Sequence, residues 1–258
     1  MRKTYFFSDA HLGLGSKEDE LSKERALVRF LDLVERDGEH LFIVGDLFDY
    51  WFEYNSVVPK GYFRLFAKLA ALTERGIGIT YVAGNHDFWL KNYFQDELGI
   101  RIFLDPIERT INGKRFYIHH GDGLSNNDTG YRILKRILRN RVNIFLFSLL
   151  PPDPASAIAR GLSRTSRRHV GKRTFEENDM TQFAKTKIEQ GYDYVVMGHN
   201  HASLFQTVPR NNGAGTYVNL GDWITERTYA VFDGKKLTLQ HWTDTPARQR
   251  AHGRPKKI

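Results

Sequence analysis

Apolar positions along the chain alternate between two rhythms. Short runs rich in β-branched and aromatic residues, at Thr4–Ser8, Leu41–Val44, Ile79–Val82, Arg115–Ile118 and Tyr194–Met197, read as strands, and Thr216–Leu220, Thr228–Phe232 and Lys236–Trp242 follow in closer succession. Between them, apolar residues recur at helical spacing over Glu20–Arg36, Gly61–Arg75, Leu90–Leu98 and Asn178–Gln190. Each of these stretches is closed by a glycine, at 38, 76, 99 and 191. Strand–helix–strand units of this length predict parallel sheet, while the crowded C-terminal strands, with Asp233-Gly234 as a tight turn, predict an antiparallel part. The pattern is that of a layered α/β sandwich.

Residues 131–173 break the rhythm. Ile133, Leu134, Ile137, Leu138, Val142 and Phe145 fall at helical spacing, with Arg132, Lys135, Arg136 and Arg139 in the intervening positions. Pro151-Pro152-Asp153-Pro154 interrupts this helix, and a second, Ala155–Leu162, follows. The segment is expected to be a helical cap inserted into a sandwich made of residues 1–130 and 174–243, with 244–258 a basic, disordered tail.

Charge sharpens that division. The chain carries a formal charge of +8, yet Arg132–Arg173 holds 11 Lys and Arg against one acid, Asp153, and the tail from Arg248 adds five bases and no acid. What remains is an acidic body of charge −7. A basic insertion on an acidic body points to an anionic partner: nucleic acid, phospholipid headgroup or phosphorylated substrate. A nucleic-acid groove would interleave its bases with stacking aromatics; here they alternate with Ile, Leu and Val, which favours lipid over nucleic acid. With no cysteine, disulfides and thiolate metal sites are excluded. The longest apolar run, Val142–Leu150, is interrupted by Asn143 and Ser148, well short of the ~20 residues of a spanning helix. Between Met1-Arg2-Lys3 and the polar Ser8-Asp9 lie only Thr4, Tyr5, Phe6 and Phe7, too short an apolar stretch for a signal peptide. A cytoplasmic protein is expected.

Polar residues gather where the strands end. Asp9 and His11 follow the first, Gly45-Asp46-Leu47-Phe48-Asp49 the second, Gly84-Asn85-His86-Asp87 the third, His119-His120-Gly121-Asp122 the fourth, and Gly198-His199-Asn200-His201 the fifth. Ligands of open α/β sheets bind at the carboxyl ends of strands, so these five loops are expected to converge. Carboxylate, imidazole and carboxamide donors without sulfur suit Mn²⁺, Fe or Zn²⁺. Two such ions ~3.5–4 Å apart activate a water and neutralise a phosphoryl transition state.

In this order the motifs resemble those of the calcineurin-like metallophosphoesterase superfamily: Asp-x-His, Gly-Asp-x-x-Asp, Gly-Asn-His-Asp, His-Gly-Asp, then Gly-His-x-His. The resemblance implies a four-layer αββα sandwich and a dinuclear centre bridged by Asp46, manganese being the first expectation. Asp9, His11 and His201 would complete one metal; Asn85, His120 and His199 the other. His119, on the opposite side of its strand, would be structural. His86 would face the phosphate as a charged donor or general acid, with Asp49 orienting it.

Further features resemble the UDP-2,3-diacylglucosamine hydrolases of lipid A synthesis: Trp51 after the second motif, Asp128-Thr129-Gly130-Tyr131 opening the insertion, the apolar and basic insertion itself, and its Ser, Arg and Lys cluster from Ser163 to Arg173. In that family the cap forms an acyl-chain chamber. The resemblance carries substrate contacts onto Trp51, Asp128, Tyr131, Ser166 and Lys172, implies release of UMP and 2,3-diacylglucosamine 1-phosphate, and implies peripheral attachment to an anionic membrane. One departure keeps a second reading open. Many of these hydrolases carry Arg where this chain has His86 and Glu where it has Asp49. A His–Asp pair matters most when an alkoxide leaves, so another phosphomonoester or phosphodiester remains an alternative.

Overall fold

The computed structural model describes residues 2–124, 129–168 and 173–244, without the side chains of 129–132, 134, 160, 162–168 and 173–176. Two sheets stack face to face. The first has the order β11-β10-β1-β2-β3-β4. It comprises β1 (Lys3–Phe7), β2 (Gly38–Val44), β3 (Gly78–Val82), β4 (Arg101–Phe103), β10 (Thr228–Phe232) and β11 (Leu237–His241). The second has the order β5-β6-β7-β9-β8, from β5 (Ile107–Ile111), β6 (Lys114–Ile118), β7 (Tyr194–Met197), β8 (Leu204–Arg210) and β9 (Gly213–Asn219). Strands β1 to β4 run parallel, as do β6, β7 and β9, so the loops after β1, β2, β3, β6 and β7 leave from strand C-termini.

Strict alternation of side chains distributes each strand between two cores. Tyr5 and Phe7, Leu41 and Ile43, and Ile79 and Tyr81 face helices α1 (Lys17–Asp37) and α2 (Phe63–Glu74). Phe6, Phe42 and Val44 turn the other way and meet Phe116, Val196 and Val218 between the sheets. Val195, Met197 and Tyr217 pack on the far side against Met180, Ala184 and Ile188 of α7 (Arg173–Glu189). The layers are therefore helix, sheet, sheet, helix, the expected sandwich.

Several elements differ from the sequence pattern. Strands β4, β5 and β8 carry no clear apolar run; they lie toward sheet edges, where one partner suffices and Pro209 in β8 is tolerated. Leu90–Leu98 yields only one turn, α3 (Tyr93–Asp96); Leu90 is buried from the irregular segment before it and Phe94 from the helix itself. The first insertion helix is two, α4 (Thr129–Leu138) and α5 (Arg141–Ser148), parted where the Asn140 side chain caps α5 by accepting from the Val142 N–H. The second, α6, runs Pro152–Arg168, longer at both ends than its apolar spacing predicts. Among the described residues no helix is long and apolar enough to cross a membrane. The tail expected to be disordered lies, from residue 245, outside the described residues.

Candidate metal centre

Beyond their last ladder bonds, β1 and β2 continue side by side. The Asp9 N–H donates to Gly45 O, His11 N–H to Asp46 O and Leu12 N–H to Leu47 O, which locks the Asp-x-His and Gly-Asp loops together. Here the backbone turns left-handed. Asp9, His11, Asp46, His199 and His201 have φ between 42° and 76°, five of the eight non-glycine residues in that region among those described. Such a conformation costs on the order of 1 kcal/mol per residue and persists only where the surroundings over-determine it. Two motif glycines have a steric cause. A Cβ on Gly84 would overlap the Asp46 carboxylate, and one on Gly198 would overlap the Asp9 carboxylate and Ser8.

The carboxylates are divided in their work. Asp46 Oδ1 accepts the His86 N–H at 2.9 Å, while Oδ2 lies 3.2 Å from His120 Nε2 and 3.6 Å from His11 Nε2. Asp9 Oδ2 accepts the His199 N–H at 3.0 Å; Oδ1 makes no hydrogen bond and faces the Nε2 atoms of His201 and His11 at 3.5 and 3.7 Å. Three donor groups result: Asp9 with His11 and His201, Asp46 with His120 and His199, and His11 with Asp46 and His86. Asn85 Oδ1 stands 3.1 Å from His120 Nε2. The seven ligands expected from the sequence thus come together, with Asp46 Oδ2 reaching both histidine sets.

The imidazoles are oriented from behind. His120 Nδ1 donates to Val44 O at 2.9 Å, and the Nδ1 atoms of His201 and His11 face the carboxylates of Asp222 and Asp49, both at 3.6 Å. Each ring therefore turns Nε2 inward, the arrangement by which metal-ligating histidines are held. The His11 and His201 Nε2 atoms even meet at 3.1 Å, a pairing of like atoms that a shared cation explains and a mutual hydrogen bond serves poorly. Electrostatics agree. Burial alone would depress His120, but Asp46 and Asp9 outweigh it and lift it to about 10; His11 rises to about 9 against the same burial, through Asp49 and Asp9. Buried carboxylates facing one point call for positive charge there, and the O- and N-donor set fits divalent ions.

His86 stands at the edge of the cluster, its ring 4.8 Å from that of His11. The Asp49 carboxylate was expected to orient it, but the backbone carbonyl of Asp49 accepts from Nδ1 at 3.0 Å, whereas the carboxylate is 3.8 Å away and nearer His11. Burial, with His11 alongside, pushes His86 below the ordinary histidine range.

Trp51 requires a correction. Expected to touch substrate, it is wholly buried among Phe48, Phe66 and Phe94, with its indole N–H on Glu53, and offers a ligand no surface. Its proximity in sequence to Asp49 reflects the fold of the loop. His119 points away from the donor groups, buried beside Asp122, with its pKa lowered to about 3 mainly by burial. Of the remaining expected contacts, Tyr131 belongs to α4 and Ser166 to α6, while Asp128 and Lys172 lie outside the described residues.

Three further residues support the centre, of which Asp222 and Lys23 lie outside the motifs and Asp87 closes the third. Asp222 backs His201 and is itself held by the N–H groups of Ile224, Thr225 and Glu226. It follows β9 as Gly221-Asp222, so extending the strand-end rule by one strand would have found it. Buried Lys23 reaches from α1 to the carbonyls of Ala10 and His11. Asp87 braces its own loop by accepting from the Gly84 N–H and the Tyr81 hydroxyl; burial and Asp46 raise it to about 6.

Comparison with known proteins agrees with this geometry. Residues 2–203 match the calcineurin-like phosphoesterase family model. A UDP-2,3-diacylglucosamine hydrolase from Porphyromonas gingivalis is 33% identical over 260 residues, spanning 94% of this chain and 98% of its own. Proteins of the same name from Ectopseudomonas mendocina and Nitrosococcus oceani are 29% and 30% identical, over 93% and 85% of this chain and 98% and 87% of theirs. A family match across most of the chain, on a cluster of carboxylates and inward-turned imidazoles that suits divalent ions, has one meaning: the chain belongs to the calcineurin-like phosphoesterase family and is a metal-dependent phosphoester hydrolase.

Proposed function

We propose that this enzyme cleaves the pyrophosphate of UDP-2,3-diacylglucosamine, releasing UMP and 2,3-diacylglucosamine 1-phosphate. The observation that carries the substrate class is the surface of α4–α6. Val142, Phe145, Leu146 and Leu149 are each more than half exposed, as are Ile133 and Ile137, while Arg136 and Arg141 stand exposed among them. Contiguous exposed apolar side chains of this size mark a lipid or partner surface. Attached to a phosphoester-cleaving centre, they suit a substrate with acyl chains at one end and phosphates at the other. Full-length similarity to hydrolases of that name supports the same reading.

In this reading Asp9, His11 and His201 would hold one ion and Asn85, His120 and His199 a second, with the Asp46 carboxylate available to both. Divalent ions bound there polarise phosphoryl oxygens and lower the pKa of the attacking water; manganese is the ion we assign, on the oxygen- and nitrogen-only donor set. His86 donates its Nδ1 proton to the Asp49 carbonyl, so in the neutral ring Nε2 is an acceptor and donates to a phosphate oxygen only when the ring is protonated. A phosphate leaving group is stable as an anion and needs no proton, so a histidine held neutral by burial is compatible with pyrophosphate cleavage. Residues 131–173 form the cap over this centre, with Asp128, Tyr131, Ser166 and Lys172 as substrate contacts. The exposed bases and apolar residues dock it on an anionic membrane.

Incubating the purified protein and Mn²⁺ with UDP-2,3-diacylglucosamine should release UMP, detected by anion-exchange chromatography. No UMP alongside rapid turnover of a simple phosphodiester would overturn the substrate. Co-sedimentation with phosphatidylglycerol vesicles should be salt-sensitive and exceed that with phosphatidylcholine; equal binding to both would remove the membrane component.

A further inference from the structure

The segment joining α4 to α5 rests on the loop that carries Asn85 and His86. Leu138, the last residue of α4, accepts the Trp89 indole N–H at 3.0 Å. Arg139 donates through Nη1 to Leu104 O at 3.1 Å and through Nη2 to Gly84 O at 3.5 Å, with its guanidinium 5.4 Å from the Phe88 ring. From α5, Phe147 packs on Trp89 and on Phe52, at ring distances of 5.0 and 4.9 Å. The loop is thus held at its two ends, Gly84 and Trp89, by one joint between helices, and Asn85 and His86 lie between those ends.

We propose that Arg139 and Trp89 are positioning residues of the metal centre: the α4–α5 joint fixes the Gly84–Trp89 loop, and with it the Asn85 carboxamide and the His86 imidazole. The proposal rests on the metal assignment made above. Its physical basis is the unequal strength of the ligands. Asp46, His120 and His199 are anchored by neighbouring strands, whereas Asn85 is a neutral amide on a loop that, besides the His86 ring on the Asp49 carbonyl and the β-bridge between Trp89 and Phe52, is supported from inside the sandwich by the Asp87 carboxylate on the Gly84 N–H and Asp46 on the His86 N–H. The last two bonds restrain N–H groups on the inner side; Arg139 restrains the Gly84 carbonyl, and Trp89 ties the far end. Removing the outer pair frees the weakest ligand while leaving the others in place. The consequence is that helices outside every metal motif, which on the proposed function serve the acyl end of the substrate, also set the geometry of the phosphate end.

The test is a Mn²⁺ titration of the full-length chain, read by the electron paramagnetic resonance signal of free Mn²⁺, without substrate. Wild-type protein should bind two ions. In Arg139→Ala one ion should bind about tenfold more weakly, the scale expected when an outer support of a ligand is lost, and the other unchanged. Arg139→Lys should recover part of the loss. Trp89→Phe, which keeps an aromatic ring but removes the indole N–H with the five-membered ring that carries it, should weaken the same ion less and decides the matter alone if Arg139→Ala does not fold by circular dichroism. Two ions held with wild-type affinity in the folded variants would overturn this proposal alone. A wild-type chain that takes up fewer than two ions overturns the metal assignment and the proposal with it.

Discussion

In the loops that carry Asp9, His11, Asp46 and His120, side chains are at most 2% exposed, and each is fixed by backbone donors, carbonyls or opposing carboxylates. On α5 and at its C-cap, by contrast, Val142, Phe145 and Leu149 are over 60% exposed. Both regions depart from what stability alone favours, in opposite directions. The loops bury charge and hold left-handed backbone; the helices leave apolar area in water. The first departure preorganises donors around cations, whose arrival offsets the repulsion of buried carboxylates. The second leaves a surface whose hydrophobic gain is realised only against another apolar body. A rigid chemical site and an adaptable greasy surface therefore coexist in one chain, touching at the Gly84–Trp89 loop.

The contrast predicts that damage in the two regions will read out differently. Asp46→Ala should abolish turnover, by about 10³-fold or more, and lose both ions by elemental analysis, since one carboxylate serves both groups; retention of two ions per chain would break the bridging assignment. Trp51→Ala should cost about 3–5 kcal/mol of stability by denaturant unfolding, as expected for a buried aromatic in the core; a small cost with a large rise in KM would return Trp51 to the substrate site. Asp222→Asn should weaken metal binding roughly 10–100-fold with little change in melting temperature, because the amide oxygen can still accept the N–H groups of Ile224, Thr225 and Glu226 while the carboxylate facing His201 is lost.

Away from both regions, His40 is half-buried on β2 with its Nε2 3.0 Å from Thr80 Oγ1, and burial, with Arg101 and Arg109 nearby, lowers its pKa to about 4. Above pH ~6.5 folded and unfolded chains are both neutral there. Below it the unfolded chain gains a proton that the folded chain refuses, so stability falls as pH drops from ~6.5 toward 4, by about 3 kcal/mol in all. Thermal unfolding across that window should be flatter in His40→Asn. The smallest effect on stability belongs to the helices: Phe145→Ser with Leu149→Ser should change it by under about 1 kcal/mol, since both side chains are already in water, yet reduce vesicle binding several-fold. A marked loss of stability would mean that this face is covered within the fold.

The central strands were legible because each is buried on both faces and so reads as an unbroken apolar run. Edge strands β4, β5 and β8 were not, since one-sided burial leaves a weaker pattern. The five loops that meet at the candidate centre were legible for a related reason: a strand end in a parallel sheet places polar residues at one rim wherever they occur in the chain. Asp222 obeys that rule without belonging to any of the five motifs; Lys23 obeys no local rule, because a lysine on α1 reveals nothing of which carbonyls it will reach. Trp51 shows the opposite error, where nearness in sequence to a site residue suggested a contact that burial in an aromatic core forbids.

The amino-acid order alone determined the alternation that builds two sheets, the polar residues delivered to the strand ends and the basic, apolar insertion, since each depends on period and spacing. Which oxygen of Asp46 faces both histidine sets, which carbonyl holds His86, and that the α4–α5 joint sits on the Asn85 loop were decided by tertiary structure. Hydrogen bonds between groups tens of residues apart have no periodicity to announce them; they exist only once the layers have packed.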